Sequence, residues 1–356
     1  MLIKLAEALM VQWISAQRTL EIADVPKDPE LATEFQAAIP AVDQNYEFRQ
    51  QLMRDLLVYM ASEDPILLFG PTGSGKSTGV LQLAARCGIP VFRITGSAGT
   101  EECDLFGMYS LQGGETKFVY GPAVKAALLG GILLVDEADR IPQDRLVGFN
   151  GLTEGLKPFV IPMTGELITP VKGFKVIYTA NSNLSGSDIY LTAKQHDPSV
   201  PERFVATKVD YPEDAEEHAI LRKELDATGF TDKQVSYLMD QEGAKLNING
   251  VVKDGQHITK DDWVSGLLQV AQAIRKTSRD GGNNASSALE RTISVRSLGR
   301  WLRYTVEFCG ASNKGQSALH YALRRSLTNT CTDSTALAIH TILTSVFGVT
   351  ENLQKV

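Results

Sequence analysis

An apolar run that passes directly into a glycine-rich loop and then into a helix leaves a chain few choices of fold. Ile66-Leu67-Leu68-Phe69 is such a run, and it leads into Gly70-Pro71-Thr72-Gly73-Ser74-Gly75-Lys76-Ser77-Thr78. The loop matches GxxxxGK[ST] in the strand–loop–helix setting that this pattern requires. The bare pattern would arise by chance in roughly one chain in a hundred of this length, and its flanks lower that figure. Its chemistry is close approach to phosphate. Glycines let successive backbone N–H groups converge on phosphate oxygens while the following helix points its positive end at them. Lys76 is placed to reach the β- and γ-phosphates, and Ser77 offers a hydroxyl to Mg²⁺. The expected ligands are ATP and Mg²⁺, held by residues 70–78.

A second apolar strand, Ile132-Leu133-Leu134-Val135, delivers Asp136 and Glu137 at its end. About 60 residues past a phosphate loop, two carboxylates there divide the work. Asp136 is expected in the Mg²⁺ shell, and Glu137 is expected to orient or deprotonate the attacking water. Asp136-Glu137-Ala138-Asp139 also spells the signature of DEAD-box helicases, but nothing like a second helicase core follows. A further strand, Phe174–Thr179, ends in Ala180-Asn181, and a polar side chain there can hold the catalytic water near the γ-phosphate.

Three regions follow from the patterning of the 356 residues. Residues 1–62 read as helical, broken by Pro26, Pro29 and Pro40, with one amphipathic helix over Met1–Leu20. Residues 63–211 alternate short apolar runs with helical stretches, as βαβ units do. Residues 212–356 read as a helical lid, interrupted by a hairpin within Asn247–Ile258 and a loop over Arg279–Ser287. No run approaches the roughly 18 apolar residues that cross a bilayer, so no membrane role is expected and the location is read as cytoplasmic. The four widely spaced cysteines suggest neither a zinc site nor a disulfide framework. The net charge of −7 disfavours a polyanion as the default partner.

These motifs resemble the AAA+ class, and within it the MoxR-type ATPases and the small ATPase subunit of cobalt chelatase. The likeness runs from about Pro65 to Pro212 and returns near Ile293–Leu302. Its diagnostic stretch is Asp104-Leu105-Phe106-Gly107, then Gly113-Gly114, then Tyr120-Gly121-Pro122. The resemblance implies an α/β AAA+ P-loop core, a parallel sheet flanked by helices, between an N-terminal helical segment and a C-terminal helical lid. It implies two inserted hairpins, at about 107–121 and 158–170, and makes Asn181 the sensor 1 residue. Pro201-Glu202-Arg203-Phe204 is similar to the family's Asp-Arg-Phe segment, with Glu202 where Asp is commoner. Arg203 is then the arginine that enters a neighbour's ATP site, and Arg296, in Ile293-Ser294-Val295-Arg296, is the sensor 2 arginine acting in its own site or a neighbour's.

The function so implied is a homo-oligomeric remodelling ATPase, a hexameric ring that acts on a protein client, with a von Willebrand A domain protein or a chelatase-like subunit as partner. A nucleic-acid motor is the alternative, supported by Arg275, Lys276, Arg279, Arg300, Arg303, Arg324 and Arg325 in the lid. Against it, the first hairpin has Lys117 as its one basic residue and Phe159–Thr169 has none, where a phosphate-tracking tip would carry several. A scaffold that binds nucleotide without turnover is the weakest reading, because no motif residue is missing.

Overall fold

The computed structural model describes residues 1–15, 17–184, 201–280, 289, 291–309 and 316–350. The chain divides into two compact units, Met1–Gln44 with Phe48–Asp210 and Asn45–Glu47 with Tyr211–Val356.

The first unit begins with β1 (Leu2–Lys4), α1 (Leu5–Leu9) and β2 (Thr19–Glu21). This corrects the expectation of one helix over Met1–Leu20. Leu5 and Leu9 do share a helical face, but Met10 turns left-handed at φ 56° and ends the helix. Leu2 then pairs antiparallel with Glu21, and Leu5, Leu9, Ile14, Leu20 and Ile22 bury against the sheet. Next come α2 (Pro29–Ala37) and α3 (Gln50–Tyr59). Pro29 opens α2 where its missing N–H costs nothing, and the Asp28 carboxylate caps the helix through the N–H groups of Glu30 and Leu31, at 2.9 and 3.0 Å.

The core follows as β3 (Ile66–Phe69), α4 (Lys76–Cys87), β4 (Val91–Thr95), α5 (Glu102–Phe106), β5 (Gly107–Gln112), β6 (Glu115–Tyr120), α6 (Pro122–Leu129), β7 (Ile132–Asp136), α7 (Gln143–Gly148), β8 (Phe159–Val160), β9 (Leu167–Ile168), β10 (Lys175–Ala180) and β11 (Val205–Lys208). Five of these strands form a parallel sheet in the order β11-β3-β10-β7-β4. The central strands β7 and β10 are buried at every residue, which is why they read as mostly apolar runs, whereas the edge strand β11 alternates. Two hairpins stand apart from the sheet. β5 and β6 pair around Gly113-Gly114, both at positive φ, and β8 and β9 pair around Thr164-Gly165. The Tyr120 hydroxyl ties them together by donating to Glu166 Oε1 at 2.8 Å.

The second unit holds α8 (Asp214–Ala227), α9 (Asp232–Gln241), β12 (Lys245–Ile248), β13 (Val251–Asp254), α10 (Lys260–Asp280), α11 (Val295–Glu307), α12 (Ala318–Ser326) and α13 (Asp333–Phe347). Its core is built around the fully buried Trp263 and Trp301. The expected hairpin is present, with Asn249 and Gly250 both at positive φ as a two-residue type I′ turn demands. One expectation is corrected here. α10 runs through Asp280, past the expected break at Arg279, and residues 281–288 lie outside the described residues. α12 and α13 are parted by a turn at Thr328–Thr330, where Ser, Thr and Asn compete for backbone hydrogen bonds. Among the described residues no helix is long and apolar enough to cross a membrane.

Candidate active site

Parallel strands present all their C-terminal ends at one edge of the sheet, so β3, β7 and β10 converge there. β3 ends in the glycine loop. At Gly70, φ is 150° and a Cβ would lie 2.2 Å from the Val209 carbonyl oxygen, so no other residue fits this turn. Gly75 caps α4 at φ 91°, with open space where a side chain would stand. Arg49 braces the loop from α3's N-cap by donating to the carbonyls of Ser74 at 3.1 Å and Asp210 at 2.9 Å.

Lys76 is buried at the mouth of α4, where its ammonium donates to the carbonyls of Gly70 at 2.7 Å and Pro71 at 3.0 Å. It also reaches Asn181 Oδ1 at 3.4 Å, which accepts from the Thr72 hydroxyl at 3.3 Å. Lys76, Thr72 and Asn181 therefore meet, although 105 residues separate the lysine from the asparagine.

At the end of β7, Asp136 Oδ1 accepts from the Ser77 hydroxyl at 2.8 Å and from the Thr179 hydroxyl, and Oδ2 accepts from the Arg93 guanidinium. Burial by itself would raise this carboxyl, but the hydrogen bonds from Thr179 and Ser77 and the charge of Arg93 outweigh it and hold Asp136 below the usual carboxylate range. It stays ionised near neutrality. The donor set of one carboxylate and one hydroxyl suits Mg²⁺, which keeps waters and phosphate oxygens as its other ligands. Glu137, left-handed at φ 55°, is half-buried beside it and pairs with Arg140 at 2.5 Å.

Residues 65–194 match the AAA domain family, dynein-related subfamily. Protein NorQ of Paracoccus denitrificans is 37% identical over 46% of this chain and 59% of its own length. The denitrification regulatory protein NirQ of Stutzerimonas stutzeri is 30% identical over 48% of this chain and 60% of its own. Protein CbbQ of Hydrogenophilus thermoluteolus is 28% identical over 49% and 64%. Over residues 65–194 the chain is therefore similar to the AAA domain family and to these three relatives. The match spans less than two thirds of each of these relatives.

Of the two arginines expected in the site, Arg203 stands outside this cluster and Arg296 belongs to the second unit. Arg203 is exposed and precedes β11, whose register Val205↔Ile66 puts it beside the start of β3. The phosphate loop of the AAA+ core leaves the other end of β3, about 13 Å along the strand. Arg296 is exposed in the first turn of α11 in the second unit, behind a cap in which Ser294 Oγ accepts from the Ser297 N–H at 3.1 Å.

Two residues of the site were not singled out in the sequence. Arg93, on the edge strand β4, reaches Asp136 because Thr95 lies opposite it in the sheet. Asp139 is 1% exposed, and its Oδ2 accepts the N–H groups of Asn181 at 3.0 Å and Ser182 at 3.2 Å. Its signal was present as the last letter of Asp-Glu-Ala-Asp, whose helicase meaning does not apply.

Proposed function

We propose that this protein is a ring-forming AAA+ ATPase that uses ATP hydrolysis to remodel or activate a protein client or partner complex. The observation that carries the reading is the junction of three strand ends. Lys76 meets Asn181, Ser77 meets Asp136, and Glu137 follows on the same turn. Lys76 and the loop N–H groups would bind the phosphates, and Ser77 with Asp136 would hold Mg²⁺, which would supply Lewis-acid charge to the phosphoryl oxygens. Glu137 takes the proton of the attacking water, and Asn181 orients that water. Arg203, turned from its own loop, serves a neighbour's site, which makes assembly, most simply as a hexamer, a condition of turnover. Arg296 is assigned to phosphate sensing.

The hairpins favour a protein client. β5 and β6 expose Met108, Tyr109 and Leu111, and their one lysine, Lys117, pairs with Glu115 at 3.5 Å. The second hairpin exposes Met163 and Leu167 and has no basic residue. The lid's basic count also overstates what could meet a nucleic acid, since Arg275 is buried in a two-pronged pair with Glu217 at 2.6 and 2.7 Å. A von Willebrand A domain protein or a chelatase-like subunit is the partner class we assign.

Mixing variants tests the shared site. Glu137→Gln should bind ATP without turning it over, whereas Lys76→Ala should lose binding. Lys76→Ala protomers still present Arg203, and Arg203→Ala protomers keep their own loop, so mixed rings should recover activity that neither shows alone. A mixture that co-assembles yet stays inactive refutes the shared site, and undiminished turnover by Glu137→Gln refutes the base.

A further inference from the structure

The nucleotide site occupies one edge of the parallel sheet. At the opposite edge the first unit holds a cavity of about 380 Å³ that the AAA+ reading does not use. Its walls are mostly apolar, from Leu20, Ile22, Met60, Ile89, Leu156 and Phe174. Lys175, the first residue of β10, lines the same space and is 7% exposed.

That lysine is out of place in such a setting. Among the described residues no hydrogen bond or ion pair engages its ammonium, although a buried cation with three donors is costly without acceptors. Asp64 and Glu63 act on it electrostatically, and Glu63 also lines the cavity, but both are exposed and neither forms an ion pair with it. Lys172, the other lysine of the lining, is matched by Glu21 at 2.7 Å. Burial pulls the Lys175 ammonium down to about 8 against the pull of Asp64 and Glu63, so at neutral pH it remains largely charged.

A largely apolar cavity with one buried cation that no hydrogen bond or ion pair engages among the described residues complements an amphiphilic anion, and its volume lies in the range of small-molecule sites. We propose that this cavity binds a small monocarboxylate with an apolar body, the carboxylate on Lys175 and the body among Leu20, Ile22 and Phe174. One wall consists of Leu2 and Thr19–Ile22, from the segment ahead of residue 65 where the family match begins. That wall is anchored, since Leu2 and Ile3 pair antiparallel with Glu21 and Leu20. The site therefore joins this chain's N-terminal segment to the start of β10, and its proposed ligand is independent of the ATPase assignment.

Titration of the full chain with octanoate, followed by calorimetry and ligand-observed NMR, tests the assignment. Octanoate should bind saturably at one site, octanol at least about tenfold more weakly, and Lys175→Met should weaken octanoate at least about tenfold while ATP affinity stays within about twofold. Octanoate affinity should also fall between pH 7 and pH 9.5, as the ammonium is lost. Should Lys175→Met fail to fold, the octanol comparison and the pH series on the native chain decide. Absence of saturable octanoate binding, equal affinity for octanol, or an unaltered Lys175→Met protein would overturn the proposal.

Discussion

Removing Asp139 should cost both stability and turnover, in amounts that separate its positioning role from that of a filler. Its Oδ2 serves the N–H groups of Asn181 and Ser182 and, at 3.4 Å, the Ser182 hydroxyl, all at the end of β10. Asp139→Ala strips two buried backbone donors of their acceptor, which at about 1–3 kcal/mol each costs about 2–6 kcal/mol. Part is returned, because Asp139 Oδ1 is itself buried without a hydrogen bond, so a net loss of about 2–3 kcal/mol is expected. For a unit of this size that lowers the melting temperature by about 4–12 °C. Asp139→Asn keeps an acceptor oxygen but loses its charge, and should fall about midway. Turnover should drop at least about tenfold in the alanine variant through misplacement of Asn181, while ATP affinity holds within a few-fold, since Lys76 and Arg49 anchor the loop separately. Scanning calorimetry, nucleotide binding and steady-state hydrolysis give the three readings. Melting within a degree or two of the native protein together with full turnover would refute the reasoning.

Arg93→Met frees the Asp136 oxygen that the guanidinium now engages, so the Mg²⁺ concentration for half-maximal ATP binding should fall by about two- to fivefold; a rise would mean that Arg93 organises the site rather than competing in it. Arg275→Met leaves the 1%-exposed Glu217 carboxylate unpaired and should destabilise the second unit by about 3–5 kcal/mol in denaturant, with the double variant Glu217→Met/Arg275→Met recovering most of it. His340 is pushed down to about 3 by burial and by the nearby charges of His320 and Arg324. The unfolded chain then binds the extra proton from about pH 6.5 downward, so the second unit should lose about 2 kcal/mol between pH 6.5 and pH 5. His340→Gln should flatten that limb in urea titrations, and an unchanged pH profile would exclude His340 as its source.

What the sequence disclosed and what it hid divide along a physical line. The phosphate loop was legible because its chemistry is carried by consecutive residues, and the strand ends Asp136 and Asn181 were legible because buried parallel strands announce themselves as apolar runs. The N-terminal segment misled because Leu5 and Leu9 carry a helical spacing, while the pairing of Leu2 with Glu21, which takes the residues on either side of that helix into strands, is written nowhere locally. Residue type alone placed Arg275 among cations open to nucleic acid, yet its partner Glu217 lies 58 residues away and takes it out of play. Arg93 and Asp136 are 43 residues apart, and Asp139 and Asn181 are 42 apart. Parallel strands impose such separations, since each crossover needs a dozen or more residues before the next strand can lie alongside. The glycine loop and its lysine can be read in a line, but the groups that hydrogen-bond to the strand-end residues come from neighbouring strands and become visible only once the strand order is known. Lys175 obeys the same rule from the other end of β10. A lone lysine in an apolar strand has no local meaning, and it acquires one when Leu20, Ile22 and Phe174 are found around the same space.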